Sequence, residues 1–307
     1  PFGIFSILYA IFKLRNITPN KDIRLDIFSL ILSSLGFGGL LYGFSSVGDF
    51  GWTSSHVIIA ITIGFLALVI FIVRQWKMDD PMLDFSVYKF PMFALSSIIS
   101  VTISASMFSG MLLTPLYVQT VREISPFYSG ILMLPGAIVM GIMSPITGRL
   151  FDKYGAKALA IIGLSILVVT TYLLSFLTME DSYFYLMTLY TTRMFGMSLV
   201  MMPVMTNGLN ELPMRMNPHG TAMNNTLQQV SGAIGSAILL TIMAKHSETV
   251  GIVLQKQAAQ GKTFEFDIEL LAMLEGINHT FFISTIFALV ALLLALFIRR
   301  PNIPNIH

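Results

Sequence analysis

The chain has 307 residues, of which 55% are hydrophobic and 11% are charged, with a net charge of +2 and a mean hydropathy of +0.77. Because soluble globular proteins average about 25% charged residues, this composition excludes a soluble domain and predicts an integral membrane protein. The absence of cysteine excludes disulfides and thiolate metal sites, and the five histidines lack metal-ligand spacing. We therefore expect no metal, no cofactor and no nucleic-acid partner.

The predicted elements are membrane spans, because a helix needs roughly 20 apolar residues to cross a bilayer. The first apolar segment, residues 1–12, is too short to span, and the sequence begins with Pro1 rather than Met. We interpret this start as the end of a truncated helix and the chain as the C-terminal part of a longer protein; a processed native terminus is the alternative. Eight runs of sufficient length follow: Ile27–Val47, Val57–Trp76, Phe93–Val118, Ser129–Leu150, Ala158–Leu177, Tyr183–Asn207, Gly220–Lys245 and Ile277–Ile298.

The basic residues are distributed unevenly between the loops that join these runs. Placing the loop after the first segment in the cytoplasm puts thirteen of the 18 Lys and Arg residues inside, four outside and one, Arg193, within a run. Because cytoplasmic loops of membrane proteins carry an excess of Lys and Arg, this predicts a multi-pass protein of the cell membrane with a cytoplasmic C-terminus. The longest external stretch, His246–Gly276, is interpreted as a solvated loop with one amphipathic turn; an interfacial helix over Asp267–Glu275 is the alternative.

Polar residues inside the runs predict a site, because ionisable groups cost about 2.5–3.5 kcal/mol each to insert into a bilayer. Arg193 lies well inside a run and has no carboxylate at its depth; pinning helices together and taking part in transport are equal alternatives for it. In the seventh run, amide and small residues recur every four positions and so share one helix face. Lipid cannot satisfy amides, so Asn224, Asn225 and Gln228 are predicted to line a substrate cavity. Met197, in the methionine-rich run that contains Arg193, is a predicted apolar contact of the same cavity.

Prolines interrupt several runs that otherwise have the composition of helices. Each proline removes a backbone donor and tends to kink its helix. Pro135, Pro145 and Pro203 are the predicted kinks, and Pro115 lies in the third run. Bending points for a conformational change and ordinary kinks fixed by packing are equal alternatives.

A charged decapeptide, Gly148–Lys157, separates the fourth and fifth runs. It carries one acid and three bases in a tight turn that contains two glycines, and this pattern indicates helix ends that are held together electrostatically. The spacing Gly148-x-Leu150-x-Asp152-Lys153-x-Gly155-x-Lys157 resembles the cytoplasmic loop signature of the major facilitator superfamily.

Further motifs, in order along nearly the whole chain, resemble the fourteen-helix drug/proton antiporter branch of that superfamily. They are Pro1-Phe2-Gly3-Ile4, Leu132-Met133-Leu134-Pro135-Gly136-Ala137, Arg193 with Gly196 and Met201-Met202-Pro203, and Gly220–Gln229. The resemblance implies an all-α polytopic membrane protein with the major facilitator superfamily fold. Residues 1–14 would end a truncated transmembrane helix, 15–91 would form two linker transmembrane helices with cytoplasmic loops, 92–300 the C-terminal six-helix bundle and 301–307 a cytoplasmic tail.

The same resemblance implies the C-terminal part of a secondary active multidrug exporter, which is not an enzyme and exchanges protons for amphiphilic drugs by alternating access. Half of its cytoplasmic gate would be formed by Gly148, Asp152, Lys153, Gly155 and Lys157. Its partners would be a small amphiphilic substrate, protons, the lipid bilayer and the missing N-terminal half, since the acidic and arginine motifs of that half are absent here. An exporter of a lipid, amino acid or metabolite, and a non-transporting membrane sensor or scaffold, are the alternatives.

Overall fold

The computed structural model describes residues 26–78 and 81–299, and in these residues the chain is helical and has no strand. The predicted truncated helix at 1–14 and the predicted tail at 301–307 lie outside the described residues. The helices are α1 (Ile27–Ser45), α2 (Val47–Phe50), α3 (Ser55–Lys77), α4 (Pro91–Leu116), α5 (126–154), α6 (156–173), α7 (Tyr183–Ser198), α8 (Met201–Leu209), α9 (Asn217–Ala259) and α10 (Ile268–Ala295). Short helical turns cover Phe85–Lys89, Leu174–Phe176 and Met214–Met216, and a π-helical turn covers Tyr117–Val121.

Within the described part of the chain, six helical stretches are long and apolar enough to cross a membrane, which confirms the all-α polytopic prediction. The predicted spans at 129–150 and 158–177 both lie in the stretch Pro126–Phe176, where the turn at Gly155 separates α5 from α6. The predicted span Tyr183–Asn207 is also interrupted, at Leu199 and Val200, where α7 ends and α8 begins. Hydropathy measures the transfer of side chains into lipid and is insensitive to such local breaks in the backbone.

The prediction of a solvated loop over His246–Gly276 is wrong. Helix α9 continues to Ala259 and α10 begins at Ile268, so only residues 260–267 join the two helices. The extra turns pack against each other, because glycines at the contact let the backbones approach. A Cβ atom added to Gly251 would lie 3.6 Å from the Cβ of Ala272, and one added to Gly276 would overlap Ser247.

Helices α1 and α3 form an antiparallel pair, the linker hairpin, that packs on α9. Glycine faces bring the two helices together: a Cβ atom added to Gly39 would lie 2.9 Å from the Cα of Gly64. At one end of this pair, Arg74 and Asp26 form an ion pair of 2.9 Å. At the other end, the Trp52 indole N–H donates to the Thr241 hydroxyl of α9 at 2.6 Å.

Helices α4 to α10 form a bundle with two distinct ends. The decapeptide end carries Gly148–Lys157, the starts of α4 and α9 and the end of α10, since residues 154–157 line one cavity with Asn207, Ile298 and Arg299. The opposite end is called the hairpin end, because the turn of the linker hairpin contacts α9 there through Trp52. It carries the end of α9, the start of α10 and the π-helical turn after α4. Two apolar clusters fill the bundle between these ends, one around Tyr117 and Phe281 and one around Met197 and Leu164.

The predicted proline kinks differ in their local structure. Pro135 and Pro145 lie inside α5, where the backbone stays helical as far as Gly155. Pro203 lies in the first turn of α8, and the preceding break at Leu199 and Val200 removes the need for the hydrogen bond that a proline cannot donate.

Candidate functional site

The decapeptide forms the turn between α5 and α6 at the decapeptide end. Gly155 has φ 79° and ψ 169°, a region of backbone space that only glycine occupies without strain, so this residue allows the chain to reverse. The side chains of Asp152, Lys153 and Lys157 are exposed, and Gly148 is half-buried. The Lys153 ammonium lies 5.1 Å from the centre of the Tyr154 ring.

The electrostatic contact between helix ends that the decapeptide predicts is not made by an ion pair of Asp152 among the described residues, whose ion pair is Arg74 with Asp26. A different carboxylate binds a helix start at this end of the bundle. The Glu211 side chain accepts hydrogen bonds from the backbone N–H groups of Met92 at 2.7 Å and Phe93 at 3.2 Å. These two groups belong to the first turn of α4, where free donors and the helix dipole favour an anion.

Arg193 is completely buried, and helices α4, α6 and α7 surround it. It lies ten residues after the start of α7, about 15 Å along the helix axis, which is near the middle of a bilayer core of about 30 Å. Its guanidinium donates to the Ser106 carbonyl oxygen of α4 and, at 3.3 Å, to the Thr171 hydroxyl of α6. Nη1 has no partner among the described residues. A Cβ atom at Gly110 would overlap the guanidinium, so α4 approaches Arg193 through a glycine.

Met197 is also completely buried, in the apolar cluster that includes Leu164 and Val200. It therefore packs inside the bundle in this conformation, rather than on an accessible face. The other predicted cavity residues lie on α9: Asn224 is buried, Asn225 is exposed and Gln228 is half-buried. The side-chain nitrogen of Asn224 has no hydrogen-bond partner among the described residues.

Gln229 is an exposed amide on α9 that belongs with the predicted cavity residues. Asn225 and Gln229 are one helical turn apart, so the two amides share a face. They lie about 12 and 18 Å along the helix axis from Asn217, within the depth of the hydrocarbon core. The sequence signal for Gln229 is its spacing of four residues from Asn225.

Two polar clusters were not predicted from the sequence. At the hairpin end, the loop 177–181 receives hydrogen bonds from three directions: Tyr117 donates to the Thr178 carbonyl oxygen, Arg122 to the Met179 carbonyl oxygen, and Asn278 exchanges two bonds with the backbone of Leu177. We call this cluster the hairpin-end clasp. Its sequence signal is weak, because its members are far apart along the chain.

The second cluster joins the two helices of the linker hairpin at their open ends, on the side of the decapeptide. Ser29 donates to Asp26 at 2.6 Å, Arg74 donates to the same carboxylate, and Gln75 donates to the Ser29 hydroxyl at 2.9 Å. The side-chain oxygen Oε1 of Gln75 accepts a hydrogen bond from the backbone N–H of Leu83. The hydrogen bond from Ser29, followed by the Arg74 guanidinium, lowers the pKa of Asp26, so this carboxylate stays ionised at neutral pH.

Known proteins resemble this chain over most of its length. A family model described as Major Facilitator Superfamily matches residues 27–236. The uncharacterized MFS-type transporter YcnB of Bacillus subtilis is 41% identical over 304 residues, which cover 99% of this chain and 61% of that protein. The lincomycin resistance protein LmrB of Listeria monocytogenes is 42% identical over 302 residues, which cover 98% of this chain and 63% of that protein. The chain therefore spans about three fifths of the length of these relatives.

A solved structure shares the fold. It is a bacterial homolog of the human lysosomal transporter Spinster in an inward-facing and unoccupied conformation, with a TM-score of 0.52 and 12% identity. The match covers 86% of this chain and 67% of that one.

Proposed function

This chain belongs to the Major Facilitator Superfamily, and we propose that it supplies the C-terminal bundle and two linker helices of a proton-coupled multidrug exporter. Its membership in a family of transporters confirms the prediction that it is not an enzyme. The proposal of a drug as cargo is supported by the name of its relative LmrB, a lincomycin resistance protein, and by the sequence resemblance to the drug/proton antiporter branch.

One observation carries the proposal: the amides of Asn225 and Gln229 are exposed, and they lie about 12 and 18 Å along α9 from its start, a depth at which a spanning helix is inside the lipid core. The lipid core offers no hydrogen-bond partners, so exposed amides at this depth face protein or a water-filled cavity. Gln228 is half-buried beside them, and no carboxylate lies on this part of α9. Such a surface suits a cargo that offers hydrogen-bonding groups on an otherwise apolar body.

The charges at the two ends of the molecule support an orientation. Of the described basic residues, eight lie at the decapeptide end: Arg74, Lys77, Lys89, Arg149, Lys153, Lys157, Arg215 and Arg299. Four lie at the hairpin end: Arg122, Lys245, Lys256 and Lys262. By the positive-inside rule, we propose that the decapeptide end faces the cytoplasm and that Asp152 and its neighbours form half of a cytoplasmic gate.

The proposed mechanism is alternating access, in which this bundle and a second bundle outside the sequence rotate about the amide face of α9. The described spans contain no Asp or Glu at their centres, so the proton-carrying carboxylate is proposed to lie in the second bundle. Arg193 would hold α4 against α6 and α7 during this movement. Export of a lipid, an amino acid or another metabolite is the alternative for the cargo, and a non-transporting sensor or scaffold is the alternative for the class.

The complete gene product that contains this sequence should be expressed in a drug-sensitive bacterial host that lacks its own exporters. We expect resistance to lincomycin and extrusion of cationic dyes that stops when the proton gradient is collapsed. Replacing Asn225 and Gln229 together by alanine should change the order of resistance across a drug panel. Leu289→Ala, an exposed apolar position on α10, is the matched control and should leave that order unchanged.

Two results would contradict the proposal. Normal surface expression without any resistance or gradient-dependent extrusion would exclude drug export and favour the alternative cargoes or a non-transporting role. An unchanged drug profile in the Asn225 and Gln229 double variant would exclude the amide face as the cargo surface, even if export itself is observed.

A further inference from the structure

Two histidine rings are stacked across the contact between α9 and α10. The imidazoles of His246 and His279 have centroids 4.1 Å apart and planes inclined by only 5°. Both side chains are half-buried, so water and protons reach them. Neither ring takes part in the hairpin-end clasp or in the amide face of α9.

This pair lies at the hairpin end, where the extra turns of the two helices begin. The helices stay in close contact beyond it: a Cβ atom added to Gly251 would lie 3.6 Å from the Cβ of Ala272. The contact beside the pair is also tight, because Gly276 leaves no room for a Cβ atom next to Ser247. A change in the distance between the two rings is therefore transmitted to both helices.

We propose that His246 and His279 form a proton-binding switch that separates the outer turns of α9 and α10 when both rings are protonated. Neutral or singly protonated imidazoles stack favourably, and one ring can share its charge with the face of the other. Double protonation places two positive charges about 4 Å apart, where their repulsion is strong in a partly desolvated site. Imidazole is the side chain that gains a proton most readily between neutral and mildly acidic solution, so the stack is intact in neutral solution and opens when acidic solution protonates both rings.

The elements at this end of the bundle carry several charged and titratable groups besides the pair. Among them are Lys245 and Glu248 on α9, Glu275 on α10, Tyr117 and Arg122 in and after the π-helical turn, Glu180 and Asp181 in the loop after α6, and His56 at the start of α3. Glu248 and Glu275 are exposed and neither forms an ion pair within the described residues, so solvent weakens their attraction for a protonated ring. Tyr117, Arg122 and Asp181 lie in or beside the hairpin-end clasp.

The role of the switch in transport rests on the proposed orientation, in which the hairpin end faces the outside. A proton-driven exporter works with the more acidic solution on that side, so the switch would loosen the bundle where the cargo leaves. The pH response of the helix pair is independent of that orientation and can be measured without any transport.

The test is cysteine trapping in the complete gene product, reconstituted in lipid nanodiscs, with any cysteine outside this sequence replaced. Gly251→Cys and Ala272→Cys place two Cβ atoms at a separation typical of disulfides, and the 307 residues contain no other cysteine. The disulfide is formed with a dithiodipyridine reagent at pH 8 and at pH 5.5. The same pair in a His246→Phe, His279→Phe background keeps two stacked aromatic rings that cannot be protonated, and it corrects for the pH dependence of the thiol chemistry.

We expect the trapped fraction at pH 5.5, relative to pH 8, to be at least fivefold lower with the two histidines than with the two phenylalanines. Each single Phe variant should behave like the double variant, because one charge alone has no partner to repel. Equal pH responses in all backgrounds would overturn the proposal. A response that persists in either single variant would overturn the role of the pair, and failure to trap at pH 8 would overturn the helix contact on which the switch depends.

Discussion

Replacing Arg193 by methionine tests whether this buried cation stabilises the bundle. Its removal forfeits two hydrogen bonds, to the Ser106 carbonyl oxygen and the Thr171 hydroxyl, worth about 1.5–3 kcal/mol each because the donor is charged. It also removes a charge whose insertion costs about 2.5–3.5 kcal/mol. The unpartnered Nη1 donor, which costs about 1–3 kcal/mol while it stays buried, disappears as well.

The losses and the gains for Arg193→Met are therefore of the same size, and methionine refills most of the volume. We expect this variant of the complete gene product to unfold within about 5 °C of the parent, as measured by thermal size-exclusion chromatography in detergent. The proposed drug export should fall at least tenfold, because α4 is no longer tied to α6 and α7. Arg193→Ala should be less stable than the methionine variant by a further 2–5 kcal/mol or so, since it leaves a cavity.

Arg149→Met, at an exposed position of the decapeptide, is the control for removing a positive charge and should not change the unfolding temperature. A methionine variant of Arg193 that unfolds as early as the alanine variant would refute the reasoning. It would mean that the cation is net stabilising and that the cost of its burial is already offset by groups outside the described residues.

Three further predictions concern the linker hairpin, the α4–α9 contact and the decapeptide. The pKa of Asp26 is lowered in the folded chain. The carboxylate therefore contributes its full stabilisation when the pH is above the ordinary pKa near 4, and this contribution is lost as the pH falls through the lowered pKa. Asp26→Asn should remove this acid dependence from unfolding curves recorded between pH 5 and 2. Gly235→Val should destabilise the bundle by about 1–3 kcal/mol, because a Cβ atom there would lie 2.9 Å from the Cα of Ala105 on α4. Gly141→Ala is the control: a Cβ atom there faces open space, so the substitution should stabilise α5 by about 0.5–1 kcal/mol. Gly155→Ala should cost about 1–3 kcal/mol through its positive φ and lower the proposed export. Gly148→Ala lies inside α5 and has room for its Cβ, so it should instead stabilise the helix by about 0.5–1 kcal/mol, as at Gly141.

The long apolar runs could be predicted from the sequence because the bilayer fixes the length of a spanning helix. The ends of the helices could not be predicted as well. Beyond Lys245 the chain becomes polar, and hydropathy alone therefore indicated a loop. The structure continues the helix because α10 covers its inner face, with Gly251 and Gly276 at the contact. That contact joins residues distant in sequence and leaves no local signal.

In the candidate site, too, features with a local sequence signal could be predicted, and contacts between distant residues could not. The burial cost of an ionised group singles out Arg193 in the sequence, but only the structure shows that its guanidinium donates to the Ser106 carbonyl oxygen of α4. The amide spacing on α9 predicts a shared cavity face for Asn224, Asn225 and Gln228. In the structure Asn225 is exposed and Gln228 half-buried, whereas the burial of Asn224 depends on how the helix turns against its neighbours. Glu211 could not be identified, because its role depends on the start of α4, more than a hundred residues away.

Polar ties connect the helices of the bundle mainly at its two ends. The clasp joins α4 and α10 to the loop before α7 at the hairpin end, while Glu211 and Asn207 bind the start of α4 and the segment after α10 at the decapeptide end. Between the ends, among the described residues, Arg193 ties α7 to α4 and α6, and close packing holds the remaining contacts. Separating α4 from the bundle along its whole length would break ties at both ends and at Arg193, worth about 1–3 kcal/mol each. We therefore expect α4 to α10 to move as one body, so that a rotation changes the neighbours of its exposed surfaces, among them the charged decapeptide and the amide face of α9.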